Sequence, residues 1–550
     1  MATTFYFNNK QVTLPGAYST IKSGERSAAR SLDYGRLLVI DTGVFGAGYG
    51  GGAGISGQQA SGQKAIYSFS TLSEFQSFVK GGMWWKMAEG LFFPDPNNPA
   101  AEGISELYYV RAATTTSARM TFTATGGGEN GGTFAVFTKD EGVNANGVKV
   151  GNILSQGYGY TLEVSPDNEN MWVMKFWVGT YTGTAADGIS YGEVDQANAT
   201  PTLILQSPEF DNIATLIEWA KTDTNFGLRF VLDADSSKVT GTGEVTSADV
   251  NITDPATYIL ATGGTETYNS TDIDLVLEQI TNLDYNAICT DQYGENANSS
   301  VTRKILRHIN NVSQFRRFLW IGGYGTEAEF DQSLALAKTF NSEFVQLVHG
   351  DVGLASDFSA EGYRKWTVMY NMCAILGRTL GKPPYIPVTN KSIGVDILVH
   401  IPSDAQQKKA LQAGVLLTVP NPNIGRNVVL QGINTLQDNK TLFNGNGQSF
   451  SIQFMRIVEQ INRELVYNAE VELLGDENGV NINTLSPGIL QQWTKSYLQS
   501  RVATETQDNL ILDFENITVT RQEDAYFVSY YIRVNSEVTK IFFTGYLLKG

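Results

Sequence analysis

Two glycine-rich stretches of the sequence bear on phosphate binding. The first, Gly46-Ala-Gly48-Tyr-Gly-Gly51, follows the apolar run at 37–40 and fits the GxGxxG pattern. A dinucleotide site needs a helix that opens at the third glycine, because the helix N-terminus binds the pyrophosphate. Here about 20 further residues precede the next predicted helix, and no acidic residue closes a second strand. We therefore interpret residues 43–57 as a surface loop.

The second stretch, from Gly57 to Lys64, resembles the P-loop pattern in its glycine spacing but lacks the residues that bind phosphate and magnesium. Gln63 stands where a P-loop has the lysine that reaches the β- and γ-phosphates, and Lys64 stands where it has a hydroxyl for magnesium. We interpret this match as chance. The sequence thus predicts no nucleotide cofactor.

The histidines and cysteines are few and widely spaced. His308, His349 and His400 lie about 40 to 50 residues apart, so no HExxH or similar zinc motif is present. We predict His308 on a polar helix face and the other two at strand ends. Cys289 and Cys373 are too few for a disulfide scaffold or a thiolate metal cluster. Because Cys373 sits in an apolar helical segment, we interpret it as a structural thiol.

The carboxylate pairs also lack catalytic partners. Asp272 with Asp274 and Asp476 with Glu477 are interpreted as solvated faces or a turn. No GxSxG, SxxK or HRD pattern occurs in the sequence. The sequence therefore predicts neither catalytic residues nor a metal site.

Size and composition limit the remaining classes of function. The chain has 550 residues, of which 42% are hydrophobic, so several domains with true cores are expected. Its net charge of −17 disfavours binding to nucleic acid or to anionic membranes, which basic patches recognise. The N-terminal residues lack the basic start and apolar run of a signal peptide, and no apolar stretch is long enough to span a bilayer. We expect a soluble protein made in the cytoplasm, with no membrane insertion.

The hydrophobic period changes along the chain and predicts its elements. Thr71-Leu-Ser-Glu74 is a capping box that opens a helix, and short alternating runs dominate residues 115–262. From about residue 272, predicted helices at 272–281, 301–310 and 328–340 each precede a short apolar strand, and a long helix is predicted at 361–380. This alternation predicts a mostly parallel sheet covered by helices.

The predicted fold class is α+β with several domains. An α/β core is assembled from N-terminal and C-terminal parts of the chain, with a β-rich insertion domain and extended terminal strand arms. The predicted boundaries are 1–25 (N-terminal arm), 26–114 (N-terminal part of the α/β region), 115–262 (insertion), 263–430 (α/β domain), 431–537 (C-terminal core domain) and 538–550 (C-terminal arm). Each arm has a strand pattern without a core, so its backbone needs a partner.

An ordered set of motifs resembles the contractile tail sheath proteins of bacteriophages. The matching stretches are Val12-Thr-Leu-Pro-Gly-Ala-Tyr18 (a Pro-Gly-Val-Tyr arm motif), Ser70-Thr-Leu-Ser-Glu-Phe75 through Phe78 with Leu107-Tyr-Tyr-Val-Arg111, Thr138-Lys-Asp-Glu-Gly142-Val-Asn-Ala-Asn146-Gly-Val-Lys-Val150, Gly377 through Asn390, and Leu430-Gln-Gly-Ile-Asn-Thr-Leu436. They spread over most of the chain in the order that the family has. Glu141 and Ala145 depart from the family's pattern, where proline and glycine stand.

The resemblance implies a structural machine without catalysis. Subunits of this family form six-fold rings stacked helically around a tail tube, and the lattice contracts on baseplate triggering to drive the tube through the host envelope. The implied partners are further copies of the chain, the tube protein, and baseplate and tail terminator proteins. The implied location is the virion tail, after assembly in the host cytoplasm. The family's arms donate strands to neighbouring subunits, and the residues concerned here would be Val12, Leu14, Tyr18, Ile541, Phe542, Phe543 and Tyr546.

Three alternatives remain open from the residues alone. A sheath of a bacterial contractile injection system shares the architecture, although type VI sheaths divide it between two chains. A nucleotide-binding enzyme built on residues 272–430 lacks a phosphate loop. Another virion protein, such as a capsid or fibre subunit, is the third.

Overall fold

The computed structural model describes most of the chain. The described residues are 5–7, 10–12, 33–42, 66–79, 82–124, 132–142, 145–168, 170–179, 183–184, 190–191, 201–233, 236, 257–267, 270–311, 317–355, 362–436, 451–474, 485–504 and 506–535.

The elements are numbered here in chain order. The strands are β1 (Phe5–Phe7), β2 (Lys10–Val12), β3 (Arg36–Asp41), β4 (Ile66–Phe69), β5 (Glu106–Arg111), β6 (Thr114–Ala124), β7 (Gly132–Glu141), β8 (Val148–Val150), β9 (Ile153–Gln156), β10 (Tyr158–Val164), β11 (Trp172–Val178), β12 (Gly183–Thr184), β13 (Ser190–Tyr191), β14 (Thr202–Gln206), β15 (Phe230–Leu232), β16 (Ile259–Leu260), β17 (Thr265–Thr267), β18 (Ala287–Tyr293), β19 (Phe318–Gly322), β20 (Val345–His349), β21 (Val352–Ala355), β22 (Tyr363–Trp366), β23 (Ile397–Leu398), β24 (Val415–Asn421), β25 (Arg426–Val429), β26 (Ile511–Gln522) and β27 (Ala525–Val534). The helices are α1 (Leu72–Val79), α2 (Gly82–Phe92), α3 (Ile213–Thr222), α4 (Thr224–Arg229), α5 (Ser270–Gln279), α6 (Ser300–Asn311), α7 (Phe330–Phe340), α8 (Val368–Leu380), α9 (Asp404–Ala413), α10 (Ile452–Glu472) and α11 (Pro487–Gln499).

An eight-stranded sheet forms the centre of the main body. Its strand order is β25-β24-β20-β19-β18-β3-β5-β4, and the six strands from β24 to β5 are parallel. Strand β3 lies between β5 and β18, so Leu37 is paired with both Leu107 and Ala287. The predicted fold class is therefore confirmed in its main point, a mixed α+β protein whose sheet joins early and late parts of the chain.

Helices cover this sheet because its strands are apolar on both faces. Residues 37–40 are fully buried, and every residue of α8 is buried too. Gly90 in α2 lies against the backbone of Ala374 in α8, where an added Cβ would come within 3.0 Å. A glycine at this position lets the two helices pack closely, which seals one face of the sheet.

The predicted long helix at 361–380 is wrong in its first turns. Residues 363–366 form β22, which pairs antiparallel with β21 at Val352↔Trp366. Thr367 is extended and precedes α8, which begins at Val368. Pairing with the preceding strand β21 overrides the local helical pattern, since the strand partner satisfies the same backbone groups.

Residues 114–267 contribute a second hydrophobic core. Two four-stranded sheets, β15-β7-β6-β17 and β14-β11-β10-β16, enclose it together with α3 and α4. Strand β6 leads the chain in and β17 leads it out, and the two pair side by side at Thr116↔Thr265. The chain thus enters and leaves this β-rich region at a single point.

No helix among the described residues is both long enough and apolar enough to cross a bilayer.

Candidate functional site

The carboxyl ends of the parallel strands are where open α/β sheets bind ligands. In this protein β3, β5 and β18 end in a buried polar cluster, which we call the strand-end cluster. The Tyr109 hydroxyl donates to the Asp41 carboxylate, and the Arg111 Nε lies 3.8 Å from Asp41 Oδ2. The backbone N–H and hydroxyl of Thr42 donate to Asp291 Oδ1 over 3.1 and 2.7 Å. These polar groups bond to one another inside the body.

Burial controls the charge of the strand-end cluster. Loss of solvent and the nearby Asp41 carboxylate together raise the pKa of Asp291 to about 7, although the Thr42 hydrogen bonds partly offset this shift. Burial, followed by the Asp41 charge, also raises the pKa of Tyr109. Below about pH 7 Asp291 is protonated and neutral, so it adds no second negative charge beside Asp41, and Asp41 is left with Arg111 as its opposite charge. This arrangement is that of a structural joint between three strands.

Histidine placement differs from the prediction at His308. His308 lies on the apolar face of α6 with Val301, Ile305 and Ile309, and it is buried. The prediction of a polar face is wrong, since the spacing 301, 305, 308, 309 already places these residues together on a helix. Burial and then the Arg317 charge lower the pKa of His308 to about 4.

The other two histidines meet, although 51 residues separate them. His349 ends β20 and His400 follows β23, and His349 Nε2 lies 2.9 Å from His400 Nδ1. Their wide spacing in the sequence therefore gives way to a direct contact in the fold. No local pattern signals the contact, because it depends on which strand ends the fold brings together.

The remaining candidates have structural surroundings. Asp272 is buried, contrary to the prediction of a solvated face, whereas Asp274 is exposed and pairs with Lys304 over 2.6 Å. Cys289 and Cys373 are fully buried, and burial raises the pKa of both thiols. Asp476 and Glu477 lie outside the described residues. Across the described part of the chain, no group of three His, Cys, Asp or Glu side chains is placed to hold a metal ion.

A long hairpin, β26–β27, is a largely exposed feature of the main body. It is a two-stranded sheet of 12 and 10 residues, and most of its side chains are exposed or half-buried. Within the described residues β27 pairs only with β26, and the outer edge of β26 is paired only at its first residue, Ile511, which bridges Val502. A register shift between Glu515 and Thr518, with Asn516 at φ 52°, marks a bulge. The outer edges are sites where another strand can add.

The base of the hairpin is fixed to the main core. Leu510, Ile511 and Val534 are buried there. Asn535 donates its backbone N–H to the Leu510 carbonyl over 3.1 Å, and its own carbonyl accepts from Gln453 Nε2 over 3.2 Å. Asn535 is therefore held at a defined point next to the hairpin.

Helix α11 supports one side of the hairpin. Gln491 Nε2 donates to the Ile517 carbonyl over 2.6 Å, and the Tyr526 hydroxyl donates to the Leu485 carbonyl. Ser486 caps the helix and Pro487 occupies its first turn, which sets where α11 begins. This support holds the hairpin against the body.

Only one of the predicted inter-subunit residues is described. Val12 ends β2, which forms a small hairpin with β1 at Phe5↔Val12. Leu14, Tyr18, Ile541, Phe542, Phe543 and Tyr546 lie outside the described residues. Their role in strand donation stays a prediction.

The architecture was compared with known proteins. No family profile matches the sequence, and no curated protein is similar to it. Among solved structures, the sheath tail protein from Desulfitobacterium hafniense matches with a TM-score of 0.58 and 14% identity, over 95% of this chain and 97% of that chain. This chain has the fold of a sheath tail protein. A sheath tail protein from Listeria innocua (TM-score 0.49, 11% identity, 92% and 97% covered) and the helical sheath of the anti-feeding prophage in its contracted state (0.41, 8%, 97% and 99%) also match.

In this sheath fold, residues of the stretches that resemble the tail sheath family form hydrogen bonds between segments of the chain. Thr71 and Glu74 form the predicted capping box of α1, with hydrogen bonds of 3.1 and 3.3 Å. Asn146 exchanges two hydrogen bonds of 2.8 Å with Gly264, which ties the exit from the β-rich region to its first hairpin. Thr435 is buried and exchanges hydrogen bonds of 3.1 and 3.0 Å with the backbone of Ser342. These motif residues hold turns and crossings of the sheath fold in place.

Proposed function

We propose that this chain is the subunit of a contractile tail sheath. In this role it polymerises as six-fold rings stacked helically around a tail tube, and contraction drives the tube through a host envelope. The fold of a sheath tail protein supports the proposal at the level of architecture. The β26–β27 hairpin supports it at the level of mechanism.

The hairpin carries the proposal because of its outer edges. A two-stranded sheet is marginal by itself, and its outer backbone groups gain hydrogen bonds when further strands add. The sequence offers two strand-forming segments without a core, 1–25 and 538–550, one for each outer edge of the hairpin. If neighbouring copies donate these segments, each contact is head-to-tail. Such contacts that do not close on themselves generate a helical tube.

The same proposal assigns no catalysis to the chain. The strand-end cluster occupies the position of a ligand site in α/β enzymes, but its groups are buried and bonded to one another. The proposed partners are further copies of the chain, the tube, baseplate and tail terminator proteins. The proposed location is the virion tail, and assembly takes place in the host cytoplasm.

Electron microscopy of the purified protein tests the proposed function. We expect hollow helical tubes at high protein concentration. Shells, solid needles, or a monomer at every concentration would contradict the proposal. A thermal-shift screen with nucleotides accompanies it, because a large stabilising shift would favour the enzyme alternative.

Deletion of the β-rich region is expected to leave tube formation intact. Thr116 and Thr265 are cross-strand partners, and their hydroxyls lie 2.7 Å apart. Removing residues 117–264 and joining the two threonines through Asn-Gly closes a short hairpin without moving either strand. Because the region has its own core, we propose that it is peripheral to the lattice. A soluble deletion variant that forms no tubes would contradict this peripheral position.

A further inference from the structure

His349 and His400 form a buried pair at the strand ends of the main sheet. We propose that His349 and His400 form an acid-sensitive latch that fixes residues 397–403 to the main sheet, and that protonation of the pair releases this segment. The latch is a property of the subunit itself, and it does not depend on the proposed assembly.

A chain of hydrogen bonds defines the latch. Ser333 Oγ lies 2.9 Å from His349 Nδ1, and His349 Nε2 lies 2.9 Å from His400 Nδ1. Phe330 packs edge-on against both imidazole rings, with centroids 5.2 and 5.6 Å away. The pair and Phe330 are at most 5% exposed, so these contacts are shielded from water.

Within this chain of hydrogen bonds, a further proton is held only as a buried cation. Neutral imidazoles carry one proton each, and a single proton joins the two rings. In either direction of donation the chain ends at His400 Nε2, which is buried and has no hydrogen-bond partner among the described residues. One added proton creates a buried cation, and a second places two N–H groups against each other at the 2.9 Å contact. Both steps weaken the latch.

The charged groups around the pair do not remove this penalty. On the α7 side, Glu329 faces His349, but it already accepts hydrogen bonds from Thr326. On the β21 side, Asp351 accepts from the Val368 N–H and pairs with Lys365 over 3.2 Å.

Two further elements complete the surroundings of the pair. The Tyr324 backbone favours the charged form of His349, and Asp404 begins α9 as an exposed residue. Burial and the neighbouring His400 outweigh these effects and lower the pKa of His349 to about 4.

Three elements meet at the latch, and the segment at 397–403 is the least firmly attached of them to the rest of the body. Strand β20 is fully buried within the sheet, and α7 is an 11-residue helix. By contrast, β23 has two residues, and Ile397, Val399 and Ile401 are exposed on either side of His400. Its attachment to β21 and the preceding turn consists of the two-residue pairing of β23, at Val352↔Leu398 and Gly353↔Ile397, and of two further backbone bonds of 3.1 Å from the N–H groups of residues 396 and 399. Opening therefore occurs at this segment, where water can solvate the imidazolium.

Amide hydrogen exchange, followed by mass spectrometry from pH 7.5 to pH 4.5, tests the latch. After correction for intrinsic rates, the opening constant of peptides covering 397–403 is expected to rise about tenfold per pH unit between roughly 6.5 and 4 for one linked proton. Peptides covering β19 and β20 are expected to change less than about twofold, as in a local opening. An unchanged 397–403 peptide, or an equal rise throughout the main body, would overturn the proposal.

Variants separate the latch from general acid sensitivity. His400→Gln keeps a polar side chain but cannot be protonated, so the acid-dependent rise at 397–403 is expected to disappear. His308→Gln is the matched control, since His308 is also buried with a lowered pKa but lies on α6; its 397–403 peptide is expected to behave as in the wild type. Persistence of the rise in the His400 variant would overturn the latch.

If the His400 variant does not fold, the wild type still decides the question. Exchange of the imidazole C2 hydrogens reports the titration of each histidine. Agreement between the midpoint of the pair and the midpoint of opening at 397–403 supports the latch. Opening that follows the His308 titration instead would overturn it.

Discussion

Removal of residues 539–550 is expected to leave a folded protein that no longer forms tubes. The segment contains Ile541-Phe-Phe543 and Tyr546-Leu-Leu548, a strand pattern that follows the hairpin and its fixed end at Asn535. If this strand pairs with the hairpin of a neighbouring copy, the subunit core loses nothing when it is removed. The helical circular dichroism signal and the melting temperature are expected to stay close to those of the full chain, while electron microscopy shows no tubes.

A pair of point variants identifies backbone pairing as the cause. Phe542→Pro removes a backbone N–H and disrupts a ladder of strand hydrogen bonds, whereas Phe542→Leu keeps the N–H and the apolar character. We expect the proline variant to lose tube formation and the leucine variant to retain it. Normal tubes from the truncated chain would contradict strand donation. A truncated chain that cannot fold would show that the strand belongs to its own core.

Replacement of Arg111 by methionine is expected to lower the free energy of unfolding by about 3–5 kcal/mol, because it leaves a buried carboxylate without its cation. The side chains of Arg111 and Asp41 are each 1% exposed, so water cannot replace the lost charge. Urea unfolding, followed through the buried residues Trp84, Trp320 and Trp366 of the main core, measures the loss.

The pH dependence and a surface control make this test specific. Because the pKa of Asp291 is about 7, the cluster gains a negative charge as the pH rises through this value. The cost of Arg111→Met is therefore expected to be larger at pH 8 than at pH 5. Arg521→Met removes an exposed arginine from the hairpin, and we expect a change within about 0.5 kcal/mol. Equal costs for the two substitutions would contradict the structural role of the cluster.

Local patterns predicted those elements whose signals are local. The run at 172–178 is one of the alternating runs that dominate residues 115–262, and it forms β11, while the Thr71 capping box opens α1 as predicted. The period of the later half predicted α5, α6 and α7 and their parallel sheet. These features depend on residues within a few positions of each other, so the chain alone contains the information.

Features that depend on distant partners could not be predicted in this way. The start of α8 was misplaced for a different reason, since residues 363–366 pair with the neighbouring strand β21 although their own pattern is helical. The contact of His349 with His400 depends on the order of strands, and neither residue has a local motif. Likewise, the sequence placed no charge cluster at the ends of β3, β5 and β18, because Asp41 and Asp291 are 250 residues apart in the chain.

The central position of β3 has a consequence for synthesis. Its partner β18 follows 250 residues later, and at roughly 5–20 residues per second the ribosome needs on the order of ten to fifty seconds to supply it. During this time Leu37-Leu-Val-Ile40 is an apolar strand with one edge unprotected, which is the kind of segment that aggregates or binds chaperones. The β-rich region, whose strands lie between these partners in the chain, can fold first and brings its two ends together at Thr116 and Thr265. Its folding shortens the loop that must close, so that the main core, completed last, forms around a chain already partly ordered.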